Sequence, residues 1–163
     1  MSKKFKMEGI EAKDGNIQLY EERIVLFPPS IITILGSIYG DAAQPLLRFL
    51  GKRMGRRLAE VWEAKAEPND LKDMTDLFVS MSSTAGWGEF SIMSISDNEI
   101  IINLTNNVAN KEKMNYICYF LCGYFVGFGE FVFHRARVKE TRCSVLDGGD
   151  YCQFVIKKID LDL

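Results

Sequence analysis

The chain has 163 residues, 47% of them hydrophobic, with 20 Lys+Arg against 22 Asp+Glu. That length suits one domain with a self-sufficient core, and the apolar fraction excludes a disordered chain. A net charge of −2 excludes a general nucleic-acid binder, which needs a broad excess of Lys and Arg.

Residues 1–27 read as a hairpin. Phe5, Met7 and Ile10 lead to a turn at Asp14-Gly15-Asn16, and Ile17-Gln18-Leu19-Tyr20 alternates beyond it. Residues 23–27 extend that second strand until Pro28-Pro29 stops it, because proline cannot donate to a ladder. Ser30 is the expected N-cap of a short apolar helix that fades between Gly36 and Gly40. A longer helix follows from a cap at Asp41, with Pro45 in its first turn. Its apolar stripe is Leu46, Leu47, Phe49, Leu50, Met54, Leu58 and Val61, and its other face carries Lys52, Arg53, Arg56 and Arg57. These cations read as a solvated face, with a seat for a carboxylate or phosphate as the sharper alternative. Glu67-Pro68-Asn69 ends this helix. Asn69 or Asp70 caps the next, which runs through Leu71, Met74, Leu77, Phe78 and Met81 and places Asp70, Asp73 and Asp76 on its outer face.

Gly86-Trp87-Gly88 opens a strand in which Phe90, Ile92 and Ser94 alternate with polar or smaller neighbours. Asp97-Asn98 turns the chain into a second strand at Ile100-Ile101-Ile102-Asn103-Leu104. An aromatic-rich helix is predicted over residues 111–131. A closing hairpin runs along 135–146, turns at 147–150 and returns along 151–159. This order of elements indicates a single α+β domain over residues 1–163, with an antiparallel sheet packed against helices. The uncharged stretches 24–40 and 114–129 fall short of the roughly 20 apolar residues a spanning helix needs, so they read as core and not as transmembrane segments. The basic opening is followed by no apolar h-region, so no signal peptide is expected.

The cysteines are unevenly placed. Positions 1–117 contain none, and Cys118, Cys122, Cys143 and Cys152 follow within 35 residues. A secreted disulfide scaffold would scatter its bridges, so the expectation is a cytoplasmic protein with reduced thiols. Zinc takes four ligands from Cys, His and carboxylates in a tetrahedron. The final hairpin offers Glu140 and Cys143 on one strand and Cys152 after a turn containing Gly148 and Gly149. The preceding helix offers Cys118 and Cys122, four apart on one face. The spacing is not a standard zinc-finger spacing, and buried free thiols give the same pattern, so both readings stand on these residues alone. His134, the one histidine, sits among Arg135, Arg137, Lys139 and Arg142 and reads as an exposed helix-to-strand junction. No nucleophile–base pairing, phosphate-binding loop or dinucleotide fingerprint is present.

The segment from Cys118 through Gly123-Tyr124 to Gly127, then Val138–Cys143 and Gly149-Asp150-Tyr151-Cys152-Gln153-Phe154, resembles the 4-vinyl reductase domain family. That family is related to the sensor domains of phenol- and xylene-responsive transcription activators and, more distantly, to TRAPP subunits of Golgi transport. The resemblance covers roughly residues 115–157, and the Gly51/Gly55 helix and the Gly86-Trp87 region fit the wider domain. It implies the ligand-binding fold of nitric-oxide signalling and Golgi transport proteins, and a structural zinc held by Cys118, Glu140, Cys143 and Cys152. The sequence departs from the sensors in one place, a Cys143–Cys152 loop one residue longer. Cys122 is then left over and reads as a core-facing thiol. Its sharper readings are an alternative ligand or, by analogy with the TRAPP relatives, a lipid attachment point.

The aromatic helix also carries Phe120, Tyr124 and Phe128 at four-residue spacing, with Phe131 beyond, rotated about 200° from the Cys118 face. Core packing explains such a stripe. The resemblance implies a small-molecule cavity between sheet and helices, lined by these residues with Trp87, Phe90 and Ile92, and with Tyr124 and Asn103 as polar contacts. The expected function is a zinc-containing domain that binds a small hydrophobic or aromatic molecule, as a sensor or carrier signalling through a separate partner. The alternatives are a tetrapyrrole-binding accessory protein or 4-vinyl reductase, and a homodimeric assembly module like the TRAPP subunits. No hydride-donor site is visible, which places catalysis behind binding.

Overall fold

A computed structural model describes residues 10–19, 22–109 and 115–160. Asp14 and Gly15, both at positive φ, reverse the chain between β1 (Ile10–Lys13) and β2 (Asn16–Leu19). The predicted second strand does not run on to residue 27. It turns back as β3 (Glu22–Ile24), antiparallel to β2 with Ile17 opposite Ile24, and no Gly, Asn or Pro marks that reversal in the sequence. Val25, Leu26 and Phe27 leave the ladder and are exposed. Phe5, Met7, Tyr20 and positions 111–114, all part of predicted elements, lie outside the described residues.

Helix α1 (Ser30–Tyr39) starts without a side-chain cap. Pro29, not Ser30, holds the N-cap position, and the first amides bond to the carbonyls of Pro28 and Pro29. The helix also runs through Gly36, where it was expected to fade. Gly36 packs flat against the Tyr116 ring, and an added Cβ would lie 2.3 Å from that ring. Gly40, at φ 57°, ends the helix, and Asp41 falls in a 3-10 turn (Gly40–Ala42) instead of capping the next element. Helix α2 (Ala43–Ala66) ends at Glu67 in the left-handed region. Helix α3 (Leu71–Thr84) is capped as its sequence implies, the Asp70 carboxylate accepting from the Asp73 amide at 2.8 Å.

The second sheet has the order β4-β5-β7-β6 and is antiparallel throughout: β4 (Glu89–Ile95), β5 (Glu99–Thr105), β6 (Ala136–Arg142) and β7 (Tyr151–Lys158). Helix α4 (Tyr116–Phe133) lies between this sheet and α2. It is long and apolar enough to cross a bilayer by length and composition, yet most of it is buried within the fold. The α+β architecture with an antiparallel sheet against helices is the one the sequence implies.

The apolar stripe predicted for α2 packs only in part: Leu47 is buried, and Leu58 and Val61 lie half-buried against the core. The buried face is Ala43, Leu47, Gly51, Gly55, Ala59 and Trp62, whereas Phe49, at 60% exposure, Leu50 and Met54 point outward. Small residues win because α2 meets α4 backbone to backbone. A Cβ on Gly51 or Gly55 would lie 2.0 Å from the carbonyl oxygen of Phe120 or Tyr124. One on Gly123 or Gly127 would lie 2.0 or 2.1 Å from that of Arg48 or Lys52. Side chains this close have nowhere to go, so four glycines set the distance between the two helices. At the far end of the contact, Lys52 pairs with Glu130 at 2.8 Å, and Arg56 pairs with Glu60 at 2.7 Å and donates to the Glu130 carbonyl.

Gly55→Val is expected to cost about 3 kcal/mol, or roughly 6–12 °C in thermal midpoint. The exposed change Glu63→Ala should stay within about 0.5 kcal/mol. Thermal denaturation followed by circular dichroism checks both, and a Gly55→Val chain as stable as its parent would refute the backbone contact.

Candidate metal centre

Three elements bring the predicted ligands together. Cys118 lies in the first turn of α4, Glu140 on β6, and Cys152 is the second residue of β7. Cys143 follows β6 directly. The strand predicted to run to residue 146 ends at Arg142, and residues 144–147 form a single helical turn, α5 (Ser144–Asp147), closed by Gly148 at φ 68°. The Asp147 carboxylate accepts from the Cys143 amide at 3.0 Å, which wraps the chain tightly around the Cys143 side chain. A bulge between Glu140 and Arg142 re-aims the end of β6 at this corner.

One ligand atom from each of Cys118, Glu140, Cys143 and Cys152 lies within 4.8 Å of the other three, and the three thiols are buried. The Cys118 and Cys143 sulfurs are 3.7 Å apart. Such a cluster could hold a metal ion. Cys122, one turn further along α4, is not part of it. Burial pushes its thiol up to about 12, which leaves it protonated near neutrality.

The electrostatics of the corner are those of a site for a cation. The Cys152 sulfur accepts from Cys118, from the Ser144 hydroxyl (3.2 Å) and amide (3.3 Å) and from the Asn107 amide group (3.3 Å), and these hold it as a thiolate at about 5 despite burial. Burial and the neighbouring Cys152 charge raise the Glu140 carboxyl to about 7. Burial raises Cys143 to about 11, and the bond to Cys152 together with burial raises Cys118. Glu140 Oε1 is buried with no hydrogen-bond partner. An orphaned carboxylate oxygen beside a buried thiolate lacks a positive charge, and a metal ion supplies one. Asn107 and Ser144, which hold Cys152 from outside the cluster, carry no spacing signal in the sequence. Only the fold brings them there.

The predicted aromatic residues line the other side of α4. Phe128 stacks on Phe78 with centroids 4.1 Å apart, Tyr124 meets the same ring at 4.8 Å, and Phe120 stacks on Trp87 at 5.1 Å. Phe90 meets Phe125 edge-on, and half-buried Ile92 pairs with Ile102 across the sheet. Ser82 donates to the Phe78 carbonyl at 2.6 Å, so the Tyr124 hydroxyl donates to Ser82 at 2.9 Å. Asn103 stands apart from this group. It alternates with buried Ile102 and Leu104 and accepts from Gln153 on the outer face of the sheet. That outer face holds a shallow trough of about 490 Å³ floored by Ile101 and Val155.

Trp62, Phe78 and Phe125 complete the aromatic cluster and were missing from the sequence-derived pocket. Trp62 lies on the small-residue face of α2, one residue past Val61, where the stripe read from the sequence ends. Its ring lies edge-on to Phe78 at 5.5 Å, and its Nε1–H is buried without an acceptor. His134 is exposed, at the junction after α4 where it was expected.

No protein-family model and no curated protein sequence matches the chain. Solved structures do. The phenol-responsive sensory domain of the transcription activator PoxR, determined with phenol, superimposes with a TM-score of 0.79 at 14% identity, covering 92% of this chain and 85% of that one. A trafficking protein particle complex subunit 3 from Naegleria fowleri, covalently bound to palmitic acid, gives 0.59 at 21% identity, covering 80% and 90%. A vinyl-4-reductase family protein from Methanocaldococcus jannaschii gives 0.56 at 19% identity, covering 84% and 85%. At these identities the likeness is one of architecture: this chain is built on the fold shared by the phenol sensor domain, the TRAPP subunit and the vinyl-4-reductase family protein.

Proposed function

We propose that residues 1–163 form one zinc-stabilised domain that binds a small hydrophobic or aromatic molecule and acts as a cytoplasmic sensor or carrier, as a homodimer. The observation that carries this reading is the buried Cys118–Glu140–Cys143–Cys152 cluster at the root of the aromatic helix. A tetrahedron with Zn–S bonds of about 2.3 Å has edges of about 3.8 Å, and the Cys118 and Cys143 sulfurs stand 3.7 Å apart. Three thiolates and one carboxylate favour zinc over hard cations such as magnesium or calcium. Bound there, zinc is a structural cross-link between α4 and the β6–β7 corner. Reduced thiols of this kind belong to a reducing compartment, which supports the cytoplasmic assignment.

The ligand reading rests on the aromatic cluster and on the likeness to a sensor domain determined with phenol. Within the cluster the rings pack on one another, so a ligand enters by turning Phe78 or Trp87 out of its stack and favours the conformers in which that has occurred. The unpartnered Trp62 Nε1–H gives the preferred chemistry: an aromatic body bearing one hydrogen-bond acceptor.

Protein purified without added metal should contain about one zinc per chain by elemental analysis, and Cys152→Ser should lose it. Removal by a chelator should lower the thermal midpoint by roughly 6–12 °C, the shift that about 3 kcal/mol produces in a chain of this size. Protons compete for the same lone pairs, so metal should be released as pH falls below 7, where Glu140 and then Cys152 take up protons. A metal-free chain with four freely titrating thiols in its native state rules the centre out.

Phenol should quench the fluorescence of Trp62 and Trp87 saturably. Trp62→Phe should weaken phenol binding about tenfold, the value of one hydrogen bond, while toluene binding stays within about twofold. Trp87 remains as the reporter in that variant. Equal losses for the two ligands would remove Trp62 from the recognition role.

A further inference from the structure

The outer face of the four-stranded sheet lies opposite the side that carries both clusters. The trough of about 490 Å³ on it is walled, among the described residues, by β5, β6 and β7 alone. Strand alternation turns Ile100, Ile102, Phe154 and Ile156 inward. It leaves Ile101 and Val155, opposite each other across the ladder, as a half-buried apolar floor on the outside. One end of that floor is closed by a polar row that satisfies itself: Thr141 donates to Gln153 and Gln153 to Asn103, each at 2.9 Å. The other end and the β6 side are cationic. Lys157 pairs with Glu99 at 2.7 Å, while Arg137 and Lys139, both exposed, have no carboxylate partner among the described residues.

We propose that this trough is the docking surface for an acidic amphipathic helix of a separate partner protein. Such docking rests on the sensor reading above only for its purpose, since the surface itself needs neither metal nor phenol. Charge selects the partner's sign. Two uncompensated cations flank the apolar floor in a chain of net charge −2, and Asp or Glu beside an apolar stripe answers both features. Width selects the partner's form. Strands lie about 4.8 Å apart, so β5, β7 and β6 together span about 10 Å, the width of one helix. A helix laid over β7 would set its stripe on Ile101 and Val155 and its acidic flank against Arg137 and Lys139. An extended segment added to edge strand β6 would leave Ile101 uncovered, two strands away. A small anion would keep one side in water, because the trough is shallow and ligand pockets enclose most of their guest. A nucleic acid needs a longer run of cations than this trough offers. Strand β7 also suits a surface that reports on the interior. Its inward residues include Cys152 of the metal cluster and Phe154, which packs on Phe125 at 5.0 Å.

The probe is a fluorescein-labelled synthetic helix with Leu at i, i+3, i+4 and i+7 and Glu on its flanks, compared with the same peptide carrying Lys flanks. Fluorescence anisotropy with the full chain should show the Glu peptide binding about tenfold more tightly, and less tightly as salt rises. The double variant Arg137→Glu/Lys139→Glu changes two exposed positions and should reverse that order by about tenfold, with circular dichroism unchanged. Independently of any variant, amide NMR shifts in the wild type on adding the Glu peptide should centre on residues 99–101, 137–139 and 155–157. No binding, equal binding of the two peptides, or an order that the double variant leaves unchanged overturns the surface. Shifts centred on residues 25–54 overturn it in favour of the outward side of α1 and α2. Shifts confined to β6 overturn the helix in favour of an added strand, and full displacement of the peptide by benzoate overturns it in favour of a small anion. Zinc content and phenol binding are read separately, so failure of either leaves the peptide result standing.

Discussion

The contact between α2 and α4 is the constraint from which the rest of the molecule follows. Gly51 and Gly55 on one helix and Gly123 and Gly127 on the other let the carbonyls of each lie against the backbone of its partner, at a distance no side chain permits. That approach settles which face of α2 is buried, and so which of its apolar residues are left outside. It also draws α4 against the sheet with one side to the β6–β7 corner and the other to Phe78 and Trp87. A helix with two committed sides can hold a thiol against one strand corner and three aromatic rings against its neighbours at once. The metal cluster and the aromatic cluster are separate in space, but both owe their geometry to the same axis.

Much of this was legible in the sequence because the signals were local. The α+β order, the Asp70 cap and the Asp14-Gly15 turn each depend on residues a few positions apart, and the structure places them as read. The set Cys118, Glu140, Cys143 and Cys152, which the structure clusters, came from the family resemblance; spacing alone left buried thiols and Cys122 open. What failed had separate physical causes. The stripe on α2 was assigned to its large apolar residues, because burial usually favours them. Here the partner is a backbone, and glycine and alanine win the buried face. Asn103 was named as a polar contact of the cavity that the resemblance implied, but strand alternation puts it on the outer face with Gln153. Asn107 and Ser144 could not be found from spacing, since they reach the Cys152 sulfur only after the fold has closed.

The outward part of the α2 stripe, Phe49, Leu50 and Met54, carries information of its own. Large side chains in a helical pattern meet one of two demands, packing into the chain's own core or presenting apolar surface outward. In α2 the two are divided between opposite faces, the small residues meeting α4 and the large ones facing outward. A hydrophobic pattern read from one chain cannot tell these demands apart. The trough on the outer sheet face, edged by Arg137, Lys139 and Lys157, is of a different character, with one of its cations, Lys157, paired to Glu99.

The spacing of the candidate metal cluster also bears on the order of events in folding. In a zinc finger the ligands lie within a few residues of each other in pairs, so the ion can organise an otherwise unfolded chain. Here Cys118 and Cys143 are 25 residues apart, with most of α4 and all of β6 between them. A metal ion meeting the unfolded chain finds only the ligands near the corner, and the last one arrives when α4 has docked. A metal held there would therefore close this protein only after folding had brought its walls together, and its exchange would need that corner to open while the glycine contact holds.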